Sequence, residues 1–248
     1  MNMHAIERLP TVDSTNAEAM RRAMAGERGP LWIVADEQTA GRGRSGRSWT
    51  SARGNLQASL LLTFAEPAAK AYQLALVAGV AAFDAIATAM GATPNGLRLK
   101  WPNDLMIEGA KAGGILVECS MLIPKAGEPG GLAAVIGIGV NVSFAPHVPD
   151  RPTTYLSARC EAPEPEAILA ALADATAYWL AVWDEGRGFA AVREAWLNRA
   201  HPLGERLSIH AGSERVSGAF AGLDADGALI LQTEGEIRRF TFGDVSID

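Results

Sequence analysis

The 248-residue sequence predicts an α+β protein: a mixed or mostly antiparallel sheet with helices, and a small β-barrel appended at the C-terminal end. Three observations carry this. The expected elements run β, α, β, β, α and then several strands in succession, not in strict βαβ alternation. Two helical stretches, 166–183 and 189–199, follow a proline-rich connection. From Glu205 the chain breaks into short strands with turn signals, the pattern of a small barrel. The division falls at 1–200 and 201–248.

Taken in order, Ile6–Val12 reads as a short strand. Asp13, Ser14, Thr15 and Asn16 then precede a helix over 17–25. Each of the four offers an oxygen to the free N–H groups of the first turn, and the same helix start can bind a polar ligand. The compact apolar run 31–35 is a buried strand, and the Leu-rich Leu56–Phe64 is another. The Ala-rich stretch 68–90 places Leu76, Val80, Phe83, Ala87 and Met90 three and four apart. It also carries Lys70, Tyr72, Gln73 and Asp84, so it reads as an amphipathic core helix and not a membrane span. Strands follow at 97–101, 105–107, 111–123 and 132–142, with a hairpin loop over 124–131. In the last strand Gly137 and Gly139 leave one face bare, where a ligand can approach the backbone. Residues 146–165 are irregular. The barrel strands are expected at 206–210, 216–223, 228–232 and 237–242, with a hairpin turn at Asp224-Ala225-Asp226-Gly227.

Composition narrows the function. A formal net charge of −6 argues against a general nucleic-acid binder, which needs a basic face. Two cysteines, Cys119 and Cys160, give neither metal spacing nor a disulfide framework, in keeping with a reduced cytoplasmic setting. The first ten residues hold no apolar signal core.

One stretch departs from this acidic background. Residues 38–55, QTAGRGRSGRSWTSARGN, carry Arg42, Arg44, Arg47 and Arg53 among four glycines. No Asp or Glu lies between Glu37 and Glu66. An unpaired basic loop suits a small anion, because the guanidinium fork matches phosphate and carboxylate. Residues 41–46 match G-x-G-x-x-G formally. That motif needs a helix directly after its third glycine, and 47–55 leaves no room for one. No G-K-[ST] follows, so this is not a P-loop either. Trp49 is placed to stack on a flat ring or to be buried in the core.

Lysine is scarce, four against eighteen arginines, and Lys100 and Lys111 flank one motif. Lys100-Trp101-Pro102-Asn103-Asp104 is a turn by composition. Its spacing to Lys111 also sets a carboxylate and an ammonium at one end of a hairpin. The first can hold Mg²⁺ and the second can neutralise a phosphate. Gly113 and Gly114 remove side chains nearby. Asn141 is a strand-end turn residue or a hydrogen-bond donor to a ribose or phosphate.

Together GRGRSGRSW (41–49), KWPNDL (100–105), KAGGILVE (111–118) and IGIGVNV (136–142), with DSTN at 13–16, resemble the biotin–protein ligase family. The blocks stand in the family's order across the whole chain. The resemblance implies the class II synthetase-like biotin/lipoyl ligase fold with a C-terminal SH3-like barrel. It also implies an ATP-dependent ligase that makes biotinyl-5′-AMP and then biotinylates a lysine of a biotin carboxyl carrier domain. ATP and biotin are the implied substrates, with Mg²⁺; separately from the resemblance, exposed strand edges suit a homodimer. Ser14, Thr15, Asn16, Gln38, Gly41, Arg42, Gly43, Arg44, Lys111 and Gly114 are implied to bind biotin. Arg44, Arg47, Trp49, Asn103, Lys111 and Asn141 fall to ATP, and Asp104 to the metal. Arg44, Lys111 and Asp104 are the implied catalytic groups, Asp104 also as proton acceptor for the carrier lysine. Only a dozen residues precede Asp13, which suggests the monofunctional form without a DNA-binding domain. A lipoate or octanoate ligase or transferase of the same fold is one alternative, and a non-catalytic biotin sensor is another. The arginine-spaced loop and KWPNDL favour biotin, and intact Arg44, Asp104 and Lys111 favour catalysis.

Overall fold

A computed structural model describes residues 5–64, 70–122, 131–149, 151–158 and 161–247. Most of the expected 124–131 hairpin loop, the start of the helix expected from residue 68, Glu66 and Cys160 lie outside the described residues.

A seven-stranded sheet holds the larger part together. Its strands are β1 (Ile6–Val12), β2 (Leu31–Gln38), β3 (Leu56–Phe64), β4 (Leu97–Lys100), β5 (Asp104–Ile107), β6 (Ala110–Leu122) and β7 (Gly131–Val140), in the order β1-β2-β3-β7-β6-β5-β4. Only β1 and β2 run parallel; every other neighbouring pair is antiparallel. The sheet is therefore mixed, as the element order implies.

Helix α1 (Thr15–Ala25) covers one face. Ser14 caps it by accepting from the Ala17 N–H at 3.4 Å, and Gly26 ends it in the left-handed region at φ 118°. Its Ala19 and Ala23 pack on Ile33, Leu61 and Val135. Helices α2 (Leu74–Ala89), α3 (Pro165–Trp183) and α4 (Phe189–Arg199) build the larger core on the other side. The stretches Ala71–Ala89 and Pro165–Gly186 are long and apolar enough to cross a membrane by length and composition. The first is 67% buried within the protein, which identifies it as the central core helix.

The C-terminal sheet contains β8 (Arg206–Ala211), β9 (Glu214–Leu223), β10 (Leu229–Gln232), β11 (Ile237–Phe240) and β12 (Asp244–Ile247), ordered β11-β10-β9-β8-β12. The last strand is absent from the sequence expectation, because DVSI offers only two apolar residues. It pairs with β8 and brings the end of the chain toward the large sheet. The apolar core is continuous across the junction: Leu207, Phe220 and Phe240 belong to the same cluster as Leu99 and Trp101. Trp101 Nε1 donates to the Gly227 carbonyl at 3.0 Å, and Arg193 Nε to that of Leu223 at 2.7 Å.

Candidate active site

The arginine loop leaves β2 and folds back on itself as a small hairpin. Gly43 N–H donates to the Arg47 carbonyl at 2.7 Å, and Trp49 N–H to that of Gly41 at 2.8 Å. Its tip is one 3-10 turn, Arg44–Gly46, with Ser45 and Gly46 both at positive φ. No helix follows the third glycine, so the loop cannot act as a dinucleotide fingerprint.

The loop closes one side of a cleft of about 900 Å³. Every predicted site residue except Gly41 lines it. Gly41 is a correction: it is buried behind the lining. A Cβ there would lie 2.5 Å from the Trp49 carbonyl oxygen, so this glycine admits the loop's own backbone, not a ligand.

One wall is neutral. Thr15 donates from its N–H (2.8 Å) and its hydroxyl (3.0 Å) to Gln38 Oε1. Ser59 Oγ lies 2.7 Å from Thr15 Oγ1 and 2.6 Å from Asn16 Oδ1. Asn16 Nδ2 donates to the Leu116 carbonyl at 3.3 Å and to Glu118 Oε2 at 2.8 Å. The Asn16 carboxamide is thus engaged at both ends, which recasts it from a direct ligand to a member of the wall. It also fills the bare strand face: a Cβ on Gly137 would lie 2.2 Å from Asn16 Oδ1, and one on Gly139 would lie 2.5 Å from Trp49 Cζ2. The glycine face expected to admit a ligand admits these two side chains instead.

The opposite wall is charged. Lys111 Nζ donates to Asp104 Oδ1 at 2.5 Å, and Lys100 Nζ lies 3.3 Å from Asp104 Oδ2. Lys100 also donates to the Val245 carbonyl at 2.9 Å. Burial would raise the Asp104 carboxyl, but the Lys111 and Lys100 charges and their hydrogen bonds win and hold it below the ordinary carboxylate value. A carboxylate held ionised by two ammonium groups is a poor proton acceptor, so the structure speaks against Asp104 as base for the carrier lysine. Nor do the residues fit a protein-held Mg²⁺. Both Asp104 oxygens face lysines, Asn103 Oδ1 accepts from Arg44 Nη1 at 3.1 Å, and no group of three acidic, histidine or cysteine ligands forms among the described residues. Gly114 lines the cleft, yet its missing Cβ also makes room for Lys111, whose Nζ would lie 3.1 Å away.

Burial pushes Arg44 below the ordinary arginine value against the pull of Asp104. Burial, then the like charges of Arg151 and Arg44, do the same to Arg47. Arg44 donates to a neutral amide and to no carboxylate among its described hydrogen bonds, which leaves it able to bind an anion. Trp49 is half-buried. Its ring lies on the sheet, 5.8 Å from Lys111 Nζ, and its Nε1 has no hydrogen-bond partner. Asn141 Nδ2 donates to the Thr154 carbonyl at 3.1 Å, while its buried Oδ1 has none.

Sequence reasoning missed five contributors. Ser59 and Gln57 stand out only as polar residues in an apolar strand. Glu118 closes the KAGGILVE block without drawing a role. Arg151 sits in the proline-rich connection. Asp244 reaches the cleft from β12 and pairs with Arg47.

Comparison with known proteins gives the family and the fold. Residues 9–141 match the model of the biotin/lipoate A/B protein ligase family, and residues 203–248 match that of the biotin protein ligase C terminal domain. A biotin–[acetyl-CoA-carboxylase] ligase of Paracoccus denitrificans is 43% identical over 230 residues, covering 90% of this chain and 92% of that protein. The bifunctional ligase/repressor BirA of Bacillus subtilis is 31% identical over 223 residues; the match covers 87% of this chain and 65% of that protein. The structure of biotin protein ligase from Aquifex aeolicus in complex with biotin and ATP is similar with a TM-score of 0.78 at 26% identity, covering 99% of both chains.

Proposed function

The chain belongs to the biotin/lipoate A/B protein ligase family, and from that premise we propose how its two walls divide the work of an ATP-dependent biotin–protein ligase. Biotin's carboxylate attacks the α-phosphate of ATP, forming biotinyl-5′-AMP and releasing pyrophosphate. A lysine amine of a biotin carboxyl carrier domain then attacks the acyl carbonyl, loses its proton, and releases AMP. Both nucleophiles come from the substrates, so the protein contributes position and charge.

The observation that carries the residue assignment is the meeting, in one cleft, of a neutral hydrogen-bonding wall with a wall short of negative charge. The neutral wall of Ser14, Thr15 and Gln38, held from behind by Ser59, suits the uncharged ureido head of biotin. The charged wall of Arg44, Arg47, Lys100 and Lys111 suits the carboxylate and phosphates that react. Lys111, tethered to Asp104 at 2.5 Å, is fixed where charge moves during adenylation. Trp49 and Asn141, each with an unpartnered buried atom, are assigned to the nucleotide. Asp104 positions the two lysines. Mg²⁺, when it arrives with the nucleotide, supplies charge to the phosphates; no residue here is assigned to hold it. The free Cys119 thiol fits a cytoplasmic enzyme, and the acidic charge fits a protein without a nucleic-acid partner.

Incubation with ATP, Mg²⁺, biotin and a biotin carboxyl carrier domain is expected to yield biotinylated carrier. Labelling with lipoate in place of biotin, or no labelling at all, overturns the reading.

A further inference from the structure

We infer that Glu118 is a positioning residue for the biotin side of the cleft: its carboxylate acts as a placeholder anion that docks Arg42 of the arginine loop against Asn16 at the start of α1. The inference rests on the biotin-ligase reading. Glu118 stands on β6 and does not line the cleft. Its Oε2 accepts from Asn16 Nδ2 at 2.8 Å and from Arg42 Nη2 at 3.0 Å, and its Oε1 lies 3.1 Å from the same Nη2. Through Asn16 the chain of bonds continues to Ser59, Thr15 and Gln38. Glu118 thus joins the arginine loop to the neutral wall.

Its two bonds differ in permanence. Asn16 is buried, and its carboxamide fills the only space over Gly137, so that bond stays. The Arg42 side chain is 48% exposed and that of Glu118 34%, so this pair is screened and exchangeable. When biotin binds, Arg42 is free to leave Glu118 while Glu118 keeps Asn16. Before substrate arrives, Glu118 keeps the guanidinium aimed and the loop folded, which lowers the ordering cost of binding.

Two variants separate the bonds. Glu118→Gln keeps an acceptor for Asn16 and removes the charge facing Arg42. Glu118→Ala removes both. KM for biotin is expected to rise about threefold and about tenfold respectively, the range open to an exposed pair and a buried hydrogen bond. KM for ATP and kcat should stay within about twofold. In ligand-free protein, trypsin should cut the 38–55 loop faster in both variants. An unchanged KM for biotin, a parallel rise in KM for ATP, or cleavage at the wild-type rate overturns the inference. If Glu118→Ala lowers the melting temperature, the isosteric Glu118→Gln decides. The trypsin comparison needs no substrate, so it tests Glu118 even should the wild-type protein fail to use biotin, a result that would instead count against the proposed function.

Discussion

On the Thr15 side of the cleft the polar side chains are neutral and deeply buried; Ser14, Thr15, Asn16, Gln57 and Ser59 are each less than 5% exposed. On the Lys111 side Arg44, Arg47, Lys100, Lys111 and Arg151 face Asp104 and Asp244, the only carboxylates of the cleft lining among the described residues. The neutral wall satisfies itself. Its donors and acceptors bond each other, the Leu116 carbonyl and the Glu118 carboxylate, so on the proposed reading its residues serve stability and recognition together. Among the described residues the charged wall holds more cations than carboxylates, and on the proposed reading those cations serve chemistry more than the fold. Substitutions on the two sides should therefore part company: one side loses binding and stability, the other loses rate.

Lys111→Ala is the most severe test of the charged wall. Biotin-dependent ATP–pyrophosphate exchange should fall about 10³-fold, the loss expected for a fixed charge at a developing transition state. Lys100 still pairs with Asp104 in that variant, so its thermal transition should remain cooperative. Arg44→Ala should lower the same exchange about 10²-fold with an unchanged melting temperature, since this guanidinium is desolvated for one hydrogen bond, to Asn103. If either variant instead unfolds, the separation of rate from stability fails.

Ser59→Ala probes the neutral wall. It strips a hydrogen-bond partner from both Thr15 and Asn16, so biotin affinity by calorimetry should fall about tenfold and unfolding free energy by about 1–2 kcal/mol. KM for ATP should hold; an equal change for both substrates would erase the distinction between the walls.

The smallest effect is the pH dependence of Asp104. Its folded carboxyl sits below the unfolded value of about 3.9, so the stability it lends is fully present above that value. That stability is lost as pH falls through the lower folded value. Melting temperatures of Asp104→Asn should therefore lie below wild type at neutral pH and converge on it in acid. Transfer from preformed biotinyl-5′-AMP to the carrier should run at the wild-type rate. A slowed transfer would restore Asp104 as a proton acceptor.

Much of this molecule is legible along the chain because its signals are local. Apolar periodicity and turn residues marked β1, β3 and α4 at their observed ends and most other expected elements within a few residues, though α2 begins at Leu74, behind a 3-10 turn, and not at 68. Charge and glycine spacing marked the arginine loop. Hairpin geometry brought Asp104 and Lys111 together, since β5 and β6 are joined by a two-residue turn, Glu108-Gly109. Short-range stereochemistry and burial decide such features, and neither needs a distant partner. The misses have a common cause as well. Ser59, Glu118 and Asp244 lie far in sequence from the residues they touch, and even Glu118, at the end of a recognised block, shows its role only beside Asn16 and Arg42.

The sequence by itself determined the α+β class, the order of the elements, the basic loop and the Lys111–Asp104 end of the hairpin. Only the tertiary structure decided which groups were already taken. It set Asn16 over Gly137 and Trp49 over Gly139, turning a bare strand face into a filled one. It gave Asp104 two lysines, so that both its oxygens are engaged by cations of the protein itself. It brought Asp244 of the last strand to Arg47, so that the C-terminal sheet completes the cleft. The physical reason is that a hydrogen bond or an ion pair is a property of two groups in space. The capacity of a side chain is written in its type, but what remains of that capacity for a ligand depends on which neighbours the fold supplies.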